Sequence, residues 1–145
     1  MKKLLTILCL VLLVSCSNEV PPDTLVDRQG IKYEVNSTTP FTGQSVSYDR
    51  REVVVERIGY KNGKREGLSK KFFQNNQLEY RKYYKDGKLH GLKEEYYKNG
   101  QLKTKGNYKN GKKHGFLETS NDWGQVTSRD CYKTDEKVDM SYCAK

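Results

Sequence analysis

The chain has no hydrophobic run long enough to cross a bilayer as a helix. Its one sustained apolar stretch, Leu4 to Val14, follows Lys2 and Lys3, the layout of a signal peptide that is removed from the mature protein. Histidine is scarce: His90 and His114 are the only two, and no third nitrogen, sulfur or paired carboxylate recurs beside them as a metal site requires. There is no Gly-x-Ser-x-Gly elbow, and Ser69 and Ser120 have no histidine base and orienting acid at matching positions. Glu94, Glu95 and Glu118 are carboxylates of the kind a charged strand face supplies freely, and a single sheet offers no deep cleft to perturb them. These absences lead to the expectation of a protein that is not an enzyme and uses no metal or cofactor.

What the chain does have is an internal repeat of 24 residues, opening at Gly43, Gly67, Gly91 and Gly115. The two central units agree at ten of 24 positions, with Phe72-Phe73 answering Tyr96-Tyr97 and Asp86 answering Asn110. The outer units are degenerate, as terminal units of a stack tend to be. Asn62-Gly63, Asp86-Gly87, Asn99-Gly100 and Asn110-Gly111 are strong hairpin signals, because a two-residue type I′ turn needs positive φ at both positions. With Asn75-Asn76, Trp123-Gly124 and Thr134-Asp135 at homologous places, the turns fall in steps alternating between 13 and 11 residues. Strands that short suit an antiparallel meander and leave no stretch for a crossover helix. The expected fold is all-β, an elongated antiparallel meander of 24-residue β-hairpin repeats.

If Asn99-Gly100 and Asn110-Gly111 are both two-residue turns, Tyr97 lies opposite Leu102, and Leu102, Thr104, Gly106 and Tyr108 share one drier face. The wet face then pairs Glu94 with Lys105 and Lys103 with Glu118. The same register sets Gly91 opposite Tyr108, where the glycine leaves room for the ring. A β-bulge would shift this register. The tyrosines number eleven. They are read either as the cross-strand packing of the sheet or as a recognition surface, with Tyr84, Tyr97 and Tyr108 as candidate partner-binding residues.

Removing Lys2 and Lys3 leaves 25 basic and 18 acidic residues, a net charge of +7. Most lysines fall at turns or on the wet face, which suits a soluble sheet, and export argues against a nucleic-acid partner. The segment Ser17 to Asp27, with paired prolines and no periodicity, reads as a tether. Beyond it Ile31, Tyr33 and Val35 alternate as a strand would.

Leu13-Val14-Ser15-Cys16 resembles the bacterial lipobox, which implies cleavage before Cys16 and a lipid on its thiol; the alternative is an ordinary secretory signal. Two or more acyl chains would anchor the protein stably. Cys9 leaves with the signal peptide, so Cys131 and Cys143 remain, and in an oxidising compartment they are expected to form one disulfide rather than stay as separate thiols. The run from Tyr84 to Leu102, Tyr-Lys-Asp-Gly-Lys-x-x-Gly-x-x-x-x-Tyr-Tyr-x-Asn-Gly-Gln-Leu, resembles the bacterial MORN-repeat variant. The likeness extends over roughly Phe41 to Asp135, and in particular to exported lipoproteins of this type and to YwqK-like proteins described as antitoxins. It implies hairpin architecture and partner binding.

The expected organisation is a lipoprotein signal peptide over 1–15, a lipidated cysteine and tether over 16–27, and a MORN-like repeat domain with a C-terminal cap over 28–145. The leading expectation for function is a membrane-anchored protein-binding or scaffold module in the bacterial cell envelope, facing the periplasm or the cell exterior. An immunity or antitoxin-type protein and a glycan- or peptidoglycan-binding adhesin-like module are the alternatives.

Overall fold

The computed structural model describes residues 18–144; the expected signal peptide and Cys16 lie outside the described residues. The strands are β1 (Glu19–Val20), β2 (Leu25–Arg28), β3 (Ile31–Glu34), β4 (Gly43–Tyr48), β5 (Val54–Lys61), β6 (Lys64–Arg65), β7 (Gly67–Phe72), β8 (Leu78–Lys85), β9 (Lys88–Tyr96), β10 (Leu102–Lys109), β11 (Lys112–Ser120), β12 (Val126–Lys133) and β13 (Glu136–Val138). Short 3₁₀ turns occupy Pro22–Thr24 and Met140–Tyr142. One sheet runs in the order β1-β4-β5-β7-β8-β9-β10-β11-β12-β13, with β6 beside β5, and β2 pairs with β3 separately. All sequential pairs from β4 onward are antiparallel. The fold is the all-β meander that the turn spacing predicts.

One edge of the sheet carries two-residue turns. Asn62-Gly63 (φ 51° and 73°), Asp86-Gly87 (50° and 81°), Asn110-Gly111 (54° and 87°) and Thr134-Asp135 (55° and 71°) have both residues in the left-handed region, the signature of type I′. Each turn is bonded to the strand before its own hairpin. Gly63 N–H donates to Phe41 O (2.7 Å), Gly87 to Arg65 O (2.9 Å), Gly111 to Leu89 O (2.7 Å) and Asp135 to Lys113 O (3.0 Å). These four bonds recur every 24 residues and tie successive turns into a row.

The opposite edge differs from the expectation. Asn99 keeps an ordinary negative φ and Gly100 alone is left-handed (84°), so Asn99-Gly100 belongs to a three-residue loop. Tyr97 N–H donates to Gln101 O (2.8 Å) and Gly100 N–H to Tyr97 O (2.9 Å), a type I turn followed by a left-handed bulge residue. Glu52, Asn76 and Gly124 hold the same left-handed place in the other loops. The extra residue shifts the register: Leu102 lies opposite Tyr96 instead of Tyr97, and Lys105 instead of Lys103 faces Glu118. A second row of bonds crosses this edge. Arg51 Nη2 donates to Gln74 O (3.1 Å), Asn75 Nδ2 to Lys98 O (2.8 Å) and Asn99 Nδ2 to Asp122 O (2.7 Å). Asn99 Oδ1 also accepts from Gln101 N (3.0 Å), so a single side chain closes its own loop and fastens the next.

Glycine faces tyrosine in every unit: Gly43–Tyr60, Gly67–Tyr84, Gly91–Tyr108 and Gly115–Tyr132 are direct cross-strand partners. Few apolar residues are fully buried; Phe41, Val46 and Tyr60 close one end and Cys131 the other. Cys131 is bonded to Cys143, twelve residues on, and the disulfide holds the Met140–Tyr142 turn against the last strands. The segment expected to be a tether is part of the fold from Asn18 onward. Gln44 N–H donates to Asn18 O (2.7 Å), β1 lies parallel on β4, and Arg57 ion-pairs with Glu19. Its paired prolines open a 3₁₀ turn, since the fixed φ of proline suits the first position of a helical turn.

Replacing Asn99 with alanine removes both of its hydrogen bonds and is expected to cost about 1–2 kcal/mol in chemical denaturation. Lys98→Ala, beside it in the same loop with no side-chain bond, is expected to change stability by less than about 0.5 kcal/mol.

Candidate binding surface

The register sorts the central side chains onto two faces. On the first, Tyr80, Lys82 and Tyr84 of β8 stand beside Glu95, Lys93 and Gly91 of β9, and these beside Thr104, Gly106 and Tyr108 of β10. This is the face expected to be drier, and it is more charged than its tyrosines led one to expect. Lys82 and Lys93 both pair with Glu95 (3.2 and 3.0 Å), and Thr104 Oγ1 donates to the same carboxylate (3.1 Å). Lys82 Nζ lies 3.9 Å above the Tyr80 ring, and the Tyr80 hydroxyl donates to Glu56. Burial, the Glu56 hydrogen bond and the Glu56 charge together push the Tyr80 hydroxyl well above the usual phenol range.

The second face carries a row of alternating charge across five strands. Arg81 faces Glu94, Glu94 faces Lys105, Lys105 faces Glu118 and Glu118 faces Arg129. This face was expected to be wet, yet Glu94 is only 3% exposed. It accepts hydrogen bonds from Arg81 and from the Tyr96 hydroxyl (3.0 Å), with Lys105 at 3.8 Å. Burial by itself would raise the Glu94 carboxyl. The hydrogen bonds from Arg81 and Tyr96 and the charges of Arg81 and Lys105 outweigh it and hold the group below the usual carboxylate range. On the same face Gln44, Val54, Arg57, Leu68, Lys70 and Phe72 line a groove of about 390 Å³. Tyr83, 39% exposed, stands opposite Leu68 at its side.

The three candidate tyrosines are half-buried and do not form one patch. Tyr84 and Tyr108 lie near the two-residue turns, each opposite its glycine, whereas Tyr97 lies at the loop edge. Six residues along β9 separate Gly91 from Tyr97, on the order of 20 Å. Each ring has an internal contact: Arg65 sits 5.3 Å from the Tyr84 ring, Lys93 5.9 Å from that of Tyr108, and the Tyr97 hydroxyl donates to Ser120 O (3.0 Å). Their recurrence follows from holding the sheet together. The more exposed aromatics, Tyr48, Tyr83 and Trp123, drew no notice in the sequence. Trp123, 80% exposed, occupies the place that Arg51, Asn75 and Asn99 hold in the other loops, and that departure from the repeat was the signal available.

The two histidines share a repeat position and do different work. His90 Nδ1 meets Asn110 Oδ1 at 3.3 Å, while His114 packs edge-on against Tyr142. Among the described residues no group of three His, Cys, Asp or Glu side chains is placed to hold a metal ion.

Residues 65–86 and 89–110 match the family model described as MORN repeat variant. The two matches begin 24 residues apart, in phase with the two rows of edge bonds, so the chain carries two repeats of this type. No curated protein and no solved structure gives a significant match to the chain.

Glu94 and Glu95 are both depressed in the folded state, against an ordinary value of 4.5. Their contribution to stability is therefore complete above that value and is lost as pH falls through the lower folded values. Glu94→Gln is expected to lower stability by about 1–2 kcal/mol at pH 7 and to flatten its decline below pH 4.5, read from denaturant midpoints across pH.

Proposed function

We propose that this protein is a non-enzymatic lipoprotein of the bacterial cell envelope, anchored through a lipid on Cys16, whose repeat sheet holds a protein partner. The observation that carries the reading is the single-layer sheet, with a groove left open between strands on a face that nothing in the chain covers. A rigid, extended face with an apolar groove and a charged surround is the arrangement a protein partner uses, an apolar anchor in the groove and polar pairs around it. Val54, Leu68 and Phe72 form the apolar wall, Arg57 and Lys70 its charged rim, and Tyr83 extends it. The lipobox ending in Cys16 places this surface on the outer side of a membrane.

Cys16→Ser is expected to abolish fatty-acid labelling of the chain and its recovery in the membrane fraction. Leu68→Ser with Tyr83→Ser is expected to weaken capture of the crosslinked partner by about 2 kcal/mol or more, the level of central anchors at interfaces. The same pair at Tyr48 and Lys98, away from the groove, is expected to leave capture unchanged. A folded Leu68/Tyr83 variant that captures the partner as the parent does would contradict the reading.

A further inference from the structure

The two-residue turns bring lysines into direct opposition. Lys61 faces Lys64, Lys85 faces Lys88 and Lys109 faces Lys112 across successive turns. Like charges placed directly across a strand pair are unfavourable, and the fold repeats the arrangement three times. All six side chains are exposed, and none forms an ion pair among the described residues. The acids within these three turns and their flanks are Asp86 and Glu66, and the Glu66 carboxylate is engaged by the Asp86 N–H (2.9 Å). The lysine stems are also held in line. Lys64 Cβ lies 3.8 Å from where a side chain on Gly87 would begin, and Lys88 Cβ 3.9 Å from the same point on Gly111, so each stem rests on the next turn. Successive turns are two strands apart, on the order of 10 Å. The opposite edge is balanced: its loops carry Arg50, Arg51 and Lys98 against Asp49, Glu52 and Asp122.

The start of the described chain lies at this lysine edge. β1 runs parallel to β4, and Asn18 is bonded to Gln44, next to Gly43, which faces Tyr60 just before the first turn. Cys16 is two residues earlier, a reach of roughly 7 Å. A lipid there would fix the sheet by a corner of the lysine edge, with no linker on which to swing away.

We propose that the two-residue-turn edge is a membrane-seating edge: the sheet stands on its line of lysines against an anionic headgroup surface, with its faces and loop edge turned to solvent. The proposal rests on the lipid anchor at Cys16 and adds its second signal. A lipid and a polybasic patch together give stable, oriented attachment, and headgroups offer the counter-charge that the six lysines lack within the fold.

The test is residue-resolved amine labelling of the lipidated protein in phosphatidylcholine vesicles with and without phosphatidylglycerol. Lys61, Lys64, Lys85, Lys88, Lys109 and Lys112 are expected to react about fivefold more slowly on the anionic vesicles, while Lys98 at the loop edge changes less than about twofold. Salt at about 1 M, where charge is screened within about 3 Å, is expected to remove the difference. In the triple variant Lys61→Gln, Lys85→Gln and Lys109→Gln, which relieves repulsion and keeps the fold, the protection of Lys64, Lys88 and Lys112 is expected to be lost. Equal labelling on both vesicles, or equal protection of Lys98, would overturn the seating edge while leaving the anchor intact. Absence of a fatty-acid label on Cys16 would overturn the anchor and this orientation with it. Protection by soluble polyphosphate without protection on anionic vesicles would assign the edge to a free polyanion and overturn the membrane reading.

Discussion

The hydrogen bond from each two-residue turn back to the strand before its own hairpin is the interaction on which the arrangement depends. A hairpin standing alone is marginal in water, and a single-layer sheet has too little interior to hold its strands by burial. This one buries Phe41, Val46 and Tyr60 at one end and Cys131 at the other, with half-buried residues between. The bonds made by Gly63, Gly87, Gly111 and Asp135 fasten hairpin to hairpin at one edge, and those of Arg51, Asn75 and Asn99 do so at the other. Both rows have the same period, and that common period makes 24 residues the unit of the fold.

Much of what looks like a recognition motif follows from this period. In the Asn-Gly-Gln of the third unit, Asn99 bonds both its own loop and the next, Gly100 takes the left-handed bulge, and Gln101 lies against the following turn, its Oε1 2.6 Å from where a side chain on Gly124 would begin. The glycine that opens each unit faces a tyrosine. Residues used in this way are poor guides to partners. The surfaces that remain for binding are those the repeat does not require: the groove beside Leu68, Tyr83 at its side, and the line of lysines at the turn edge.

The hairpin period, the two-residue turns and the Gly91–Tyr108 pairing were legible in the sequence because Asn-Gly and Asp-Gly encode positive φ locally. The loop edge was not. Asn99-Gly100 and Asn110-Gly111 read alike, and what separates them is whether the asparagine keeps a negative φ and sends its side chain to the next loop, a non-local choice. The one-residue error in Leu102 and Lys103 follows directly from it. Glu94 was misplaced for a related reason: strand alternation assigns a face but does not say that Arg81, Tyr96 and Lys105 converge on one carboxylate. The prolines of the N-terminal segment read as a linker because its pairing partners, Gln44 and Arg57, lie far along the chain.

The central claim is that turn-to-strand bonds hold the repeat together, and native-state hydrogen exchange of the backbone amides tests it most directly. The Gly63, Gly87, Gly111 and Asp135 amides sit at solvent-facing turns, where unbonded N–H groups exchange quickly. The account expects all four to exchange at least about a hundredfold more slowly than the Lys98 amide of the opposite loop edge. Exchange at the four turns as fast as at Lys98 would contradict it.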